Sequence, residues 1–191
     1  MKIRTIILAL TVVVGGCALN VTPVTRSFEL SQIIRAKVEM QLLTDASESK
    51  VATGDSHKKY FPRLVAFLEE NGVQTFAMSD EFKAAAGPGQ QLLGYYIKEK
   101  KSILINTDVA PNLQLATLLH EFGHHIQPME TGDMSGQVFA EAISFFVCEA
   151  IGLDVSEASQ GYMSKFEYDL ILIKYSKHID IAVATILKGI Q

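Results

Sequence analysis

The sequence predicts an α+β domain in which helices pack on a short antiparallel or mixed sheet. Apolar residues recur at helical spacing in several separate stretches. Short β-prone runs fall together in the middle of the chain, between the second and third of those stretches. Asn71-Gly72 and Gly87-Pro88-Gly89 punctuate that region as turns do. There is no internal repeat or low-complexity tract. A chain of 191 residues is long enough for one domain with a buried core and a few appendages.

The chain opens on a segment that does not belong to that domain. Lys2 and Arg4 form a short positive region, and Ile6 to Val14 is apolar but too short to span a bilayer comfortably. It ends in Val14-Gly15-Gly16-Cys17. That run resembles the lipobox of bacterial lipoproteins, in which the cysteine is lipidated and becomes the mature N-terminus. Residues 1–16 are therefore expected to be a signal peptide, Cys17 the lipidation site and 17–27 a tether, with the domain spanning 28–191. The expected location is the bacterial cell envelope, periplasmic or at the cell surface, with the membrane reached through the lipid anchor. Ala18 after the cysteine favours outer-membrane sorting in a cell that has one. An uncleaved anchor and an ordinary signal peptide are the alternatives.

Within the domain, Leu30, Ile33, Ile34, Val38 and Leu42 predict a helix from Phe28 to about Leu43. Residues 47–57 read as loop. Tyr60 to Glu70 is a second amphipathic helix, stopped by Asn71-Gly72. Val73 to Phe76 is a short strand. Leu93–Ile97 and Ile103–Ile105 are expected to form a hairpin across the charged turn Lys98-Glu99-Lys100-Lys101. Pro111 marks the start of a helix running to about Ile126. Gly136 to Ile151 is a long apolar helix ending near Gly152, and Tyr168 to about Leu187 is the last.

Removing residues 1–16 takes away two cations and no acid, so the formal charge moves from −4 to −6. A chain this acidic is a poor nucleic-acid binder. Cys148, in Phe145-Phe146-Val147-Cys148, then remains as a lone thiol. It reads as a small buried hydrophobe, with no disulfide framework.

The chemistry concentrates in His120-Glu121-Phe122-Gly123-His124. Residues four apart share one helix face, so the two imidazoles can close on one zinc ion, and Glu121 stands one step round the helix. Thr117-Leu118-Leu119 before the motif and Ile126 after it are uncharged, as suits a helix set against a core.

A hydrolytic zinc site needs three protein ligands and an open position. A third ligand on a tight turn after the helix would call for glycine at 127 and a donor at 130, where this chain has Gln127 and Glu130. Glu141, on the following helix, is the better candidate. Its neighbours Phe139, Ala140, Ala142 and Ile143 would otherwise leave a carboxylate unpaired among apolar groups. The competing account is a buried salt bridge to a lysine or arginine, none of which lies between Lys101 and Lys165. Glu149 is a rival on the same helix, about 12 Å further along, so the two cannot serve one metal.

Leu118-Leu119-His120-Glu121-Phe122-Gly123-His124, followed by Ala140-Glu141-Ala142, resembles a gluzincin-type metallopeptidase. More closely, residues 94–154 are similar to the small metallopeptidase domains of the ImmA/IrrE and ArdC C-terminal families. The matching pieces are Gly94-Tyr95-Tyr96, Ile103 to Asn106, Gln114 to Glu121 and Ala140 to Cys148, extended by Ile151 to Asp154 and Gly161-Tyr162. The resemblance implies a helix–sheet–helix zincin core. It implies Zn2+ on His120, His124 and Glu141, with Glu121 as general base. It also points to Ile103–Asn106 as the strand on which an extended peptide substrate would lie. Those domains usually stand beside a nucleic-acid-binding module. This chain has a lipoprotein-like leader instead, so their regulatory roles are not carried over.

The function expected is zinc-dependent hydrolysis of peptide bonds in an extracytoplasmic protein or peptide. Glu121 would take a proton from the attacking water and hand it to the leaving amine. Tyr162 and His125 are candidate oxyanion donors. A catalytically inactive zinc-binding envelope module is the alternative, and a metal-free structural lipoprotein is a third reading. Intact Glu121 argues against the inactive module, because nothing structural requires an acid there.

Overall fold

The computed structural model describes residues 52–84, 92–128, 134–155 and 168–191. The leader with Cys17, the tether, the helix expected over 28–43, the Gly87–Gly89 break and Tyr162 lie outside the described residues.

The first described helix, α1 (Tyr60–Glu70), buries Leu64, Phe67 and Leu68, spaced to face one side. It closes where the sequence placed its stop. Gly72 takes a left-handed φ of 76°, its N–H reaches Glu69 O at 3.0 Å, and Val73 N–H reaches Leu68 O at 2.9 Å. That is a Schellman cap, which needs a residue without a Cβ penalty at position 72.

Strand β1 (Gln74–Ala77) follows, then a short helix α2 (Asp80–Ala84) that the periodicity does not predict. Strands β2 (Gly94–Ile97) and β3 (Ser102–Ile105) form the expected hairpin, pairing Gly94 with Ile105 and Ile97 with Ser102. The charged turn is a 3₁₀ turn over Lys98–Lys100, closed by Lys101 at φ 46°. β1 joins on the far side of β3, parallel to it, with Gln74 opposite Ser102. The sheet is thus mixed and three-stranded, in the order β1-β3-β2.

That order corrects one expectation. Ile103–Asn106 cannot receive a peptide substrate as an added strand, because β3 is the central strand and both of its edges are already paired. Among the described residues the free edges are those of β1 and β2.

Helices α3 (Pro111–Ile126), α4 (Met134–Ala150) and α5 (Tyr168–Ile190) make up the rest. α3 lies against β2 and β3, α4 packs on α3, and α5 packs on α4 and α1. Ile103 and Ile105 point into this helical layer and are fully buried, as are Leu115, Leu118, Leu119, Phe139, Ile143, Val147, Val183 and Ile186. Alternation along the strands sends Phe76 and Tyr95 to the opposite face, where both are about half exposed. A second Schellman cap ends α4: Gly152 has φ 83°, and Leu153 N–H meets Cys148 O at 2.8 Å.

Ahead of α1, the start of the described chain is clasped to α3 by Asn112. This buried side chain donates to Thr53 O at 2.7 Å and accepts from His57 N at 3.0 Å. Among the described residues no helix is long and apolar enough to cross a membrane.

Candidate metal centre

Pro111 occupies the first turn of α3, where its fixed φ suits a helix start and its missing N–H costs nothing. The helix then runs unbroken through the motif, because Leu115, Leu118, Leu119 and Phe122 are all drawn into the core. With that face buried, His120 and His124 stack one turn apart, their ring centroids 4.9 Å from each other and nearly perpendicular. Glu121 and His125, also one turn apart, face β2 instead.

α4 brings Glu141 to the histidines. Two close approaches fix how it does so. Gly123 has no side chain, and a Cβ there would stand 2.6 Å from Ala140 Cα, so the helices touch backbone to backbone beside the motif. Elsewhere along the same contact, the buried Ser144 hydroxyl donates to Ala116 O at 2.8 Å. Between these contacts, His120 Nδ1 donates to Glu141 Oε2 at 2.9 Å across 21 residues of sequence. The Glu141 side chain is 11% exposed and that of His120 17%. Glu149, the rival acid, is exposed on the same helix.

The electrostatics follow from burial. Desolvation acts most strongly against the charge on His120. Glu141's hydrogen bond and charge, with the Glu121 charge, together still carry its pKa above the ordinary histidine value. Burial, then the His120 charge, push His124 below it, toward the neutral imidazole that a metal requires. Burial raises the Glu121 carboxyl, against the opposing pull of His120 and of the Tyr96 backbone. A base raised toward neutrality is suited to proton transfer at physiological pH.

β2 holds Glu121 from the other side. Gly94 lies so close that a Cβ would meet Thr117 Cγ2 at 2.5 Å and Glu121 Cγ at 2.9 Å. The Tyr96 backbone lowers the Glu121 carboxyl, and its hydroxyl shares a hydrogen bond with His125 Nδ1 at 2.7 Å. His125 is further stacked on Phe122, at 5.7 Å between centroids. These contacts tie His125 to β2 and the core, apart from the Glu141 contact. Tyr96 was not among the residues singled out from the sequence, although it stands two after Gly94 in a run that was.

Two glutamines also belong to the site and were not foreseen. Gln127, just past the end of α3, accepts from His124 Nδ1 at 3.3 Å. Gln137, one turn before Glu141 on α4, favours the charged form of both His120 and His124. Its position four residues ahead of Glu141 is the one sequence signal that could have found it.

Do these residues fit zinc? Donors held about 2.0–2.2 Å from one tetrahedral zinc stand roughly 3.3–3.6 Å apart. The 2.9 Å between His120 and Glu141 is a hydrogen-bond length, shorter than that spacing. Among the described residues no three His, Cys, Asp or Glu side chains stand assembled around one point. The His120 contact uses Nδ1. Sharing a metal between His120 and Glu141 therefore requires the imidazole to turn. If it does not turn, Glu141 orients His120 from outside the metal. The donor types suit zinc, while their described positions do not form a coordination shell.

Comparison of the chain with protein-family models, with curated proteins and with solved structures found no match.

Proposed function

We propose that the protein is a zinc-dependent peptidase acting outside the cytoplasmic membrane, with His120, His124 and Glu141 holding the metal. The observation that carries this reading is the 2.9 Å contact between His120 and Glu141, largely buried and beside Glu121, whose side chain packs against Gly94 of β2. A buried carboxylate on an apolar helix is costly unless a cation compensates it. Zinc, when bound, supplies Lewis acidity and lowers the pKa of water toward neutrality.

The chain's own groups do the rest. Glu121, raised by burial, accepts a proton from the attacking water and returns it to the leaving amine. Gly94 leaves room for that carboxylate beside β2. The substrate is proposed to be an extended peptide. Support for zinc and for peptide hydrolysis comes from the motif and its resemblance, together with this arrangement of donors.

The test is hydrolysis of a quenched-fluorescent peptide library by wild type and by Glu121→Gln, each loaded with zinc. Cleavage by wild type, lost in the variant, is expected. Zinc bound at one per chain with no cleavage of any peptide would favour the inactive binding module instead.

A further inference from the structure

We propose that Gln127 is a positioning residue for His124, seated by Gly136 so that its amide oxygen presets the imidazole for metal. This rests on the zinc reading above and goes beyond it, since neither the motif nor the resemblance assigns a role to either residue.

A histidine binds a metal through one ring nitrogen, and a hydrogen bond at the other fixes which one. His124 Nδ1 meets Gln127 Oε1 at 3.3 Å. An amide oxygen only accepts, so Nδ1 carries the proton and Nε2 presents its lone pair. The glutamine is placed from two sides. It follows directly on α3, at φ −58° and ψ 136°, where the backbone leaves the helix. Its carboxamide also lies over the first turn of α4, against Gly136. A Cβ at 136 would stand 2.6 Å from Gln127 Oε1 and 3.2 Å from its Cδ. Gly136 is buried, and its missing side chain is the space in which the amide sits. The sequence predicts that α4 starts at Gly136, but it starts two residues earlier, at Met134. The use of Gly136 is as the seat of the residue that orients a motif histidine.

The prediction is read on metal affinity. Zinc titrations of the full-length chain against a chromophoric chelator would compare wild type with Gln127→Met, Gln127→Glu and Gly136→Ala. Methionine keeps the length and removes the acceptor, and glutamate keeps an acceptor oxygen. Gln127→Met should weaken zinc binding about 10–100-fold, the range for outer contacts of this kind. The metal-free melting temperature should be unchanged, and the cobalt-substituted absorption band should shift. Gln127→Glu should restore affinity to near wild type. Gly136→Ala, which displaces the amide oxygen, should match Gln127→Met, and it serves as the test if that variant does not fold. Wild-type affinity in both Gln127→Met and Gly136→Ala would overturn the proposal while leaving the zinc reading intact. Absence of zinc from the wild type would overturn both.

Discussion

Replacing Gly123 by alanine probes the contact that sets the spacing of the whole site. The added methyl would lie 2.6 Å from Ala140 Cα and 3.1 Å from Ala140 O. Both are backbone atoms, so no side-chain rotation relieves the clash. Ordinary contact begins at 3.4 Å, so α3 and α4 must part by about 0.8 Å along that line. Glu141 follows Ala140 directly. If the displacement passes undiminished, the 2.9 Å bond to His120 opens to about 3.7 Å, beyond hydrogen-bonding length. Overpacking of this kind costs about 1–3 kcal/mol. Alanine returns about 0.5–1 kcal/mol through its better helix propensity, leaving a net loss centred near 1 kcal/mol and at most about 2.5 kcal/mol. For a chain of this size a loss of about 1 kcal/mol lowers the melting temperature by roughly 2–4 °C. Thermal unfolding with and without zinc would show a second effect, a smaller stabilisation by metal than in wild type. An alanine variant with wild-type melting temperature and wild-type zinc stabilisation would refute the reasoning.

Other consequences are more local. Gly94→Ala presses on Thr117 Cγ2 and Glu121 Cγ, so kcat should fall about 10–100-fold while zinc affinity is kept; a parallel loss of zinc would contradict that. Asn112→Ala removes the clasp on Thr53 and His57 and should cost about 2–3 kcal/mol in urea unfolding; a loss below about 0.5 kcal/mol would show the clasp to be incidental. Burial pushes the Cys148 thiol up to about 12, so iodoacetamide at pH 8 should not label it in the native protein, by peptide mapping, but should label it in denaturant. Because the folded thiol lies above its ordinary 9.0, its contribution to stability is complete below pH 9. It should decline as pH rises from there toward 12, by about 1.4 kcal/mol per pH unit, in alkaline unfolding.

Local signals carried most of the fold. α1 and α3 have the bounds that periodicity and Pro111 predicted, because each buries a continuous apolar face and begins or ends on a residue with a single conformational use. The hairpin was legible from two β-prone runs around a charged turn. What was not legible is tertiary. Strand order depends on β1 crossing to the far side of β3, and nothing in Ile103–Asn106 marks it as central except its dense apolar character; the resemblance instead points to it as the strand for substrate. The short helix α2 has too few residues to show a period.

At the site, Glu141 was found by the energetic cost of leaving it unpaired, and the structure brings it against His120. Gln127, Gln137 and Tyr96 were missed because amides and backbone N–H groups have no spacing signature of their own. They matter only through what the fold sets beside them.

The most direct measurement is zinc content by mass spectrometry of the full-length chain after reconstitution and exhaustive dialysis, for wild type, Glu121→Gln and Glu141→Gln. One zinc per chain is predicted for wild type and Glu121→Gln. For Glu141→Gln, loss of zinc or an affinity weakened by more than the roughly 100-fold expected of an outer contact would mark Glu141 as a ligand. A smaller loss would place Glu141 outside the metal, orienting His120. No zinc in the wild type would contradict the account at its root and leave His120, His124 and Glu141 as a buried polar cluster.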